Sequence, residues 1–162
     1  MKVDVFKWAD KLPGDFLKRK FLDNLFNLAI PFNLSLGLRL THVKPDHVEV
    51  ISNSGWKTRN HVGGAHACFL ALVGEYPAGI LLAQNFSPEN YRMIIGELHV
   101  EYHKQARGRV KGVSRKPDAW PNDPGDEFWV PMTTDIYDQK GQNVATVKTR
   151  WQLKKWTATH SS

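Results

Sequence analysis

Between Asp15 and Ala29 the apolar residues Phe16, Leu17, Phe21, Leu22, Leu25, Phe26 and Leu28 return at helical spacing, with Lys18, Arg19, Asp23 and Asn24 between them. That period predicts an amphipathic helix with one buried stripe. Asp15 is its expected N-cap and Pro31 its expected stop. The period then drops to two. Leu36, Leu38 and Leu40 alternate with Gly37, Arg39 and Thr41. After a turn at residues 44–46, Val48, Val50 and Ser52 take one face, and Glu49 and Ile51 the other. Two strands, each with one buried face, are the expectation.

A loop over 53–64 leads into an apolar run, Ala65 to Tyr76, that is rich in Ala and Leu and does not alternate. It reads as a buried helix, which Pro77 and Gly79 are expected to break or kink. Alternation returns afterwards. Leu98, Val100 and Tyr102 oppose His99, Glu101 and His103, and a further strand is expected over 107–115. A loop over 116–126 separates it from a long hairpin. In that hairpin Phe128, Val130, Met132, Thr134 and Ile136 share one face. Residues 138–141 turn the chain, and Val147, Thr149, Trp151 and Leu153 face inward against Lys148, Arg150, Gln152 and Lys154.

The predicted order is helix, two strands, buried helix and about four antiparallel strands, an α+β arrangement. An antiparallel sheet wrapped around one central helix satisfies it, and so does an ordinary α+β sandwich. The 162 residues read as a single domain, 1–162, in which 1–32 form a helical N-terminal extension.

Composition narrows the class further. With 41% hydrophobic and 23% charged residues the chain lies in the ordinary globular range. The single cysteine, Cys68, excludes an intramolecular disulfide. The first twenty residues contain no uninterrupted apolar segment of signal-peptide type. Residues 67–83 approach membrane-span length, but Glu75 and Pro77 in their middle argue against a span, so a cytoplasmic location is the expectation. The net charge of +6 comes from scattered residues, with one denser patch at Lys104, Arg107, Arg109, Lys111, Arg115 and Lys116. No nucleic-acid-binding motif accompanies it.

The chemistry concentrates between Asn60 and Glu75. Gly63 and Gly64 precede the buried helix and would let a ligand approach the backbone, or simply make a tight turn. The first turn of that helix carries unpaired N–H groups at the positive end of its dipole, a setting suited to a developing oxyanion. Glu75 is a carboxylate in an apolar helix. Burial would raise its pKa toward general-base range, whereas a position at a helix kink would leave it exposed. Nine residues separate His66 from Glu75, roughly 13 Å of rise and half a turn of opposite facing. One chain is not expected to bring the two together; two antiparallel central helices in a dimer would.

Asn60, His66 and Glu75 have the spacing of a motif that reads Asn, two residues, Gly-Thr-x-His-Gly-Gly, and an acid nine residues after the His. In this the segment resembles hotdog-fold acyl-CoA thioesterases of the phenylacetate-pathway type. It is also similar to a bacterial branch of that superfamily carrying Asn-His-x-Gly-Thr-x-His-Ala and a Glu. Residues 97–109 and the final Asp-x-x-Gly hairpin resemble the family as well, so that the likeness covers about 36–153. The chain departs from the pattern in three places. Gly64 stands for Thr, Ala67 and Cys68 stand for the two glycines after the His, and no Ser or Thr occupies the following strand near Ile94, Ile95 and Glu97.

The resemblance implies a hotdog fold and hydrolysis of an acyl-CoA or acyl carrier protein thioester by a homodimer or a dimer of dimers. Coenzyme A enters as part of the substrate, with no separate cofactor and no metal. Glu75 would be the general base. The Ala67 N–H would bind the oxyanion, His66 would polarise the carbonyl, and Asn60 would position water or the carbonyl. Gly63 and Gly64 would line the coenzyme A site, and Arg107, Arg109 and Lys111 would meet its phosphates. Two alternatives stay open. One is a β-hydroxyacyl dehydratase or hydratase using His61 with Glu75, although 61–75 lacks the prolines usual there. The other is a non-catalytic acyl-binding domain.

Overall fold

In the second half of the chain, β5 and β6 turn a mostly apolar face inward, with Thr134 and Thr149 among the apolar side chains. The computed structural model describes residues 4–53, 55–121 and 125–156. Strands β1 (Arg39–Val43), β2 (His47–Asn53), β3 (Tyr91–Tyr102), β4 (Arg109–Arg115), β5 (Glu127–Asp138) and β6 (Asn143–Lys155) form one antiparallel sheet in the order β1-β2-β4-β5-β6-β3. Val130, Met132, Thr134 and Ile136 of β5 and Val147, Thr149, Trp151 and Leu153 of β6 are buried, as the alternation predicts. The turn between them is closed by Asp138 Oδ1, which accepts from the N–H groups of Lys140 (2.8 Å) and Gln142 (2.9 Å).

The sheet wraps around α4 (Ala67–Asn85), which packs against β2, β4, β5 and β6. Its Val73, Leu81 and Leu82 meet Val48, Val50, Val110 and Val147 in the core. Two glycines permit this closeness. A Cβ at Gly74 of α4 would lie 2.3 Å from Val147 Cγ2, and one at Gly112 of β4 would lie 2.4 Å from the Val73 carbonyl oxygen. The helix is long and apolar enough to cross a membrane by length and composition alone. Burial of much of it inside this sheet accounts for that apolarity.

Several expected boundaries move. Pro77 and Gly79 do not break the helix, which runs on to Asn85. Pro77 removes only the hydrogen bond that the Val73 carbonyl would receive, and that carbonyl lies against Gly112 in the tight α4–β4 contact. Burial of both flanking turns outweighs the propensity cost. Asp15 is the first residue of α2 (Asp15–Ala29), not its cap. Gly14, at φ +80°, turns the chain into the helix, and the Asp15 carboxylate pairs with Lys44 instead. Pro31 ends α2 and also begins a short helix, α3 (Pro31–Leu34), its ring fitting the first helical position. β1 starts at Arg39, because Gly37 at φ +64° forms a turn where an extended residue was expected. β3 starts seven residues before Leu98. Its side chains are exposed on both faces over much of its length, so no alternation announces it. A further helix, α1 (Val5–Ala9), is capped by Asp4, whose Oδ1 accepts from the Phe6 and Lys7 N–H groups, and it packs Phe6 on Phe26 of α2. Residues 122–124 of the predicted 116–126 loop, residue 54 of the 53–64 loop and residues 1–3 lie outside the described residues.

Candidate active site

The N-terminus of α4 is held by a ladder of backbone bonds. The His66 N–H donates to Thr58 O (2.7 Å), Ala65 N–H to Ala106 O (2.8 Å) and Asn60 N–H to Gly64 O (2.8 Å). Asn60 closes the turn from within. Its Oδ1 accepts from the Gly64 N–H (3.0 Å) and the Val62 N–H (3.2 Å), and its Nδ2 reaches Ala65 O (3.4 Å). The Asn60 amide is thus engaged in shaping the loop. Both glycines also have reasons inside the loop. Gly63 sits at φ +76°, and a Cβ on Gly64 would lie 2.8 Å from Gln105.

His66 is the N-cap of α4, in extended conformation, and its Nδ1 accepts from the Cys68 N–H at 3.1 Å. An acceptor at Nδ1 places the proton of the neutral ring on Nε2, which makes the outer nitrogen of this exposed ring a donor. The Ala67 N–H beside it has no hydrogen-bond partner among the described residues, while its carbonyl accepts from the Tyr102 hydroxyl (3.0 Å). Two donors, one side chain and one backbone, therefore sit together at the positive end of a nineteen-residue helix.

Glu75 lies two and a half turns on. Glu75 is half-buried, and its carboxyl has no hydrogen-bond or ion-pair partner among the described residues. Desolvation raises its pKa above the ordinary value of 4.5. It opens into a compartment of about 340 Å³ between α4 and the corner where α2 meets α3, walled by Phe26, Ile30, Phe32, Leu72, Ile80 and Trp151. Asn33 and Tyr76 line it too. Asn33 Oδ1 and the Tyr76 hydroxyl are buried without a partner among the described residues. Gly79 leaves room there. A Cβ at that position would sit 3.1 Å from the Trp151 ring and 3.7 Å from Glu75 Oε1.

His66 lines a second, smaller compartment of about 160 Å³ with Lys57, Thr58, Cys68 and Phe69. The two compartments share Phe32 and Leu72 as a partition, and neither holds both His66 and Glu75. The basic candidates fall elsewhere. Arg109 borders a surface depression with Arg39 and Asn53, Arg107 is exposed, and Lys111 Nζ is 3.7 Å from a Glu49 carboxylate. Arg39 was not among the sequence candidates. Neither were the walls Phe26, Ile30 and Phe32, whose apolar spacing reads only as the packing face of a helix. His61 is exposed and lines neither compartment.

A family model described as a domain of unknown function, DUF4442, matches residues 18–153. The chain belongs to the DUF4442 family. No curated protein matches it. Among solved structures, this DUF4442 chain is similar to a Pseudomonas aeruginosa protein of unknown function described as a probable thioesterase. That likeness has a TM-score of 0.73 at 20% identity, over 85% of this chain and 95% of that one. A thioesterase from Haemophilus influenzae superposes with a TM-score of 0.73 at 12% identity, over 88% of this chain and 94% of that one. At such identities the likeness establishes the fold, which is the hotdog fold: an antiparallel sheet wrapped around a central helix. It decides between the two arrangements that the residue pattern left open. The N-terminal helices α1 and the first residues of α2 precede the matched DUF4442 region.

Proposed function

We propose that this DUF4442 domain is a thioester hydrolase acting on acyl-CoA or acyl carrier protein thioesters as a homodimer or dimer of dimers. The observation that carries the proposal is Glu75: a half-buried, unpartnered carboxyl that opens into an apolar compartment beside Trp151, with its pKa raised by desolvation. A structural role gives such a group no compensation for its desolvation, whereas general-base chemistry needs a pKa shifted in this direction. Within the chain a partition separates Glu75 from the donors at the α4 N-terminus. A second copy, its α4 antiparallel to the first, would set its His66 Nε2–H and Ala67 N–H opposite Glu75.

In this reading Glu75 takes a proton from water, and the resulting hydroxide attacks the thioester carbonyl carbon. The oxyanion forms against the Ala67 N–H and the His66 Nε2–H of the partner. The C–S bond then breaks, and the leaving thiolate sulfur takes the proton that Glu75 removed from water, which returns the carboxylate to its ionised form. Asn60 acts through the turn it closes, holding those donors in place. Gly63 and Gly64 keep that turn compact. Arg109, with Arg107 and the newly found Arg39, offers charge for coenzyme A phosphates; Lys111 contributes less because Glu49 already faces it. The likeness in fold to thioesterases supports the reading, as does the absence of any role for His61 in either compartment, which weighs against a dehydratase.

The decisive experiment measures free thiol released from a panel of acyl-CoAs. Wild-type protein releases thiol, and Glu75→Gln lowers the rate by roughly a hundredfold to ten-thousandfold, the usual contribution of a positioned base. Undiminished release by Glu75→Gln would remove Glu75 as the base. A second reading, acyl binding without hydrolysis, draws on Ala67 standing where the family motif has glycine, and it gains if wild-type protein binds acyl-CoA but releases no thiol.

A further inference from the structure

The compartment beside Glu75 has a chemistry of its own. Its walls are aromatic and aliphatic, and no basic residue lines it, so it does not suit the phosphate-bearing end of a coenzyme A ester. At about 340 Å³ it lies within the range of roughly 300–1,000 Å³ typical of small-molecule sites. Along α4 it extends from Leu72 past Gly79 to Ala83, about 16 Å at helical rise. Glycine inside a helix is unfavourable, and Gly79 has a reason to be there: it admits the Trp151 ring, which a Cβ would approach to 3.1 Å. The opposite wall comes from the Ile30–Pro31 corner. Proline at the start of α3 forces Ile30 into an extended conformation (φ −119°, ψ 85°), and Phe26, Ile30 and Phe32 converge on the compartment. Phe32 is 70% exposed at its mouth, where a large aromatic ring has no packing reason to stand.

The geometry points to this compartment as the site for the acyl part of the substrate, an apolar acyl group of medium length, with its reacting carbonyl at Glu75 and its chain directed along α4 toward Ala83. The N-terminal helices α2 and α3 then set chain-length preference. This inference rests on the hydrolase reading, since it takes Glu75 as the reacting end.

The test compares butyryl-, hexanoyl-, octanoyl- and decanoyl-CoA in thiol-release assays. In wild-type protein kcat/KM rises about fourfold per methylene, the equivalent of ~0.8 kcal/mol, until the compartment is filled. Ala83→Phe occupies the inner end and lowers the decanoyl-to-butyryl ratio of kcat/KM at least tenfold. Phe32→Ala changes an exposed wall residue that the fold does not need, and it lowers the same ratio several-fold. If both variants fold by circular dichroism and keep the wild-type ratio, the acyl assignment is overturned while hydrolysis stands. If wild-type protein hydrolyses none of the four esters, the hydrolase reading is the one that falls. Calorimetry with decanoate alone then decides the compartment: binding to wild type that weakens in Ala83→Phe sustains it, and no binding to wild type overturns it.

Discussion

Glu75 and its neighbour Tyr76 occupy one turn of α4, and burial raises the pKa of both. For Glu75 the consequence for stability has a definite sign. A carboxyl whose folded pKa exceeds its unfolded value binds more proton in the native state, so native stability falls as pH rises from about 4.5 through the raised folded pKa, then levels off. Thermal melts of wild-type protein and Glu75→Gln across that window should differ in slope, the glutamine variant losing less stability as pH increases. Parallel curves would mean that Glu75 is not desolvated in solution. Under the proposed mechanism activity would run the other way, since only ionised Glu75 could remove a proton from water. Stability and catalysis therefore pull on the same residue in opposite directions, as expected where a site keeps an uncompensated group.

For the elements, the informative contact is the one between α4 and the sheet. Gly74 and Gly112 let the helix approach to distances at which a Cβ would overlap Val147 and the Val73 carbonyl. Gly74→Ala should cost about 1–3 kcal/mol of stability by overpacking, measured by chemical denaturation. Adding Val147→Gly removes the Cβ as well as the two methyl groups that the new Cβ meets, so the double variant should be more stable than the sum of the two single changes predicts. Additivity would show that helix and sheet do not meet there as described. The same closeness explains why Pro77 is tolerated: a helix held along its length by a curved sheet keeps its course through one missing hydrogen bond.

Across the whole molecule the exposed apolar surface is unevenly placed. Among the described residues the edge strand β3 pairs only with β6; its Leu98 and Tyr102, on the α4 face, and its Ile94, on the opposite face beyond the irregularity at Gly96, are each more than 40% exposed. A long, open edge with large apolar side chains exposed among its charges calls for a partner. Light scattering at micromolar concentration should give a dimer or a dimer of dimers, and Leu98→Lys should shift it toward monomer with little effect on the melting temperature of the chain itself. A wild-type monomer would defeat the shared-site mechanism, because a partition of Phe32 and Leu72 keeps His66 and Glu75 apart within one chain.

Much of this was legible in the residues alone. The two-residue period of 128–136 and 147–153 determines which faces of β5 and β6 are buried, since side chains on a strand must alternate. The helical period of 15–29 determines α2 apart from its cap, which is Gly14 and not Asp15, and the spacing of Asn60, His66 and Glu75 marks the segment where polar groups meet an apolar helix. Local pattern did not carry the rest. Continuity of α4 through Pro77, the extent of the exposed strand β3 and the engagement of Asn60 within its own turn all depend on what lies across from each residue, and a local period cannot encode that. The compartment beside Glu75 is the clearest case. Phe26 and Phe32 read as ordinary apolar residues until the Pro31 corner brings them over α4, and only that long-range packing turns a charged residue in an apolar run into a half-buried, unpartnered carboxyl facing a cavity.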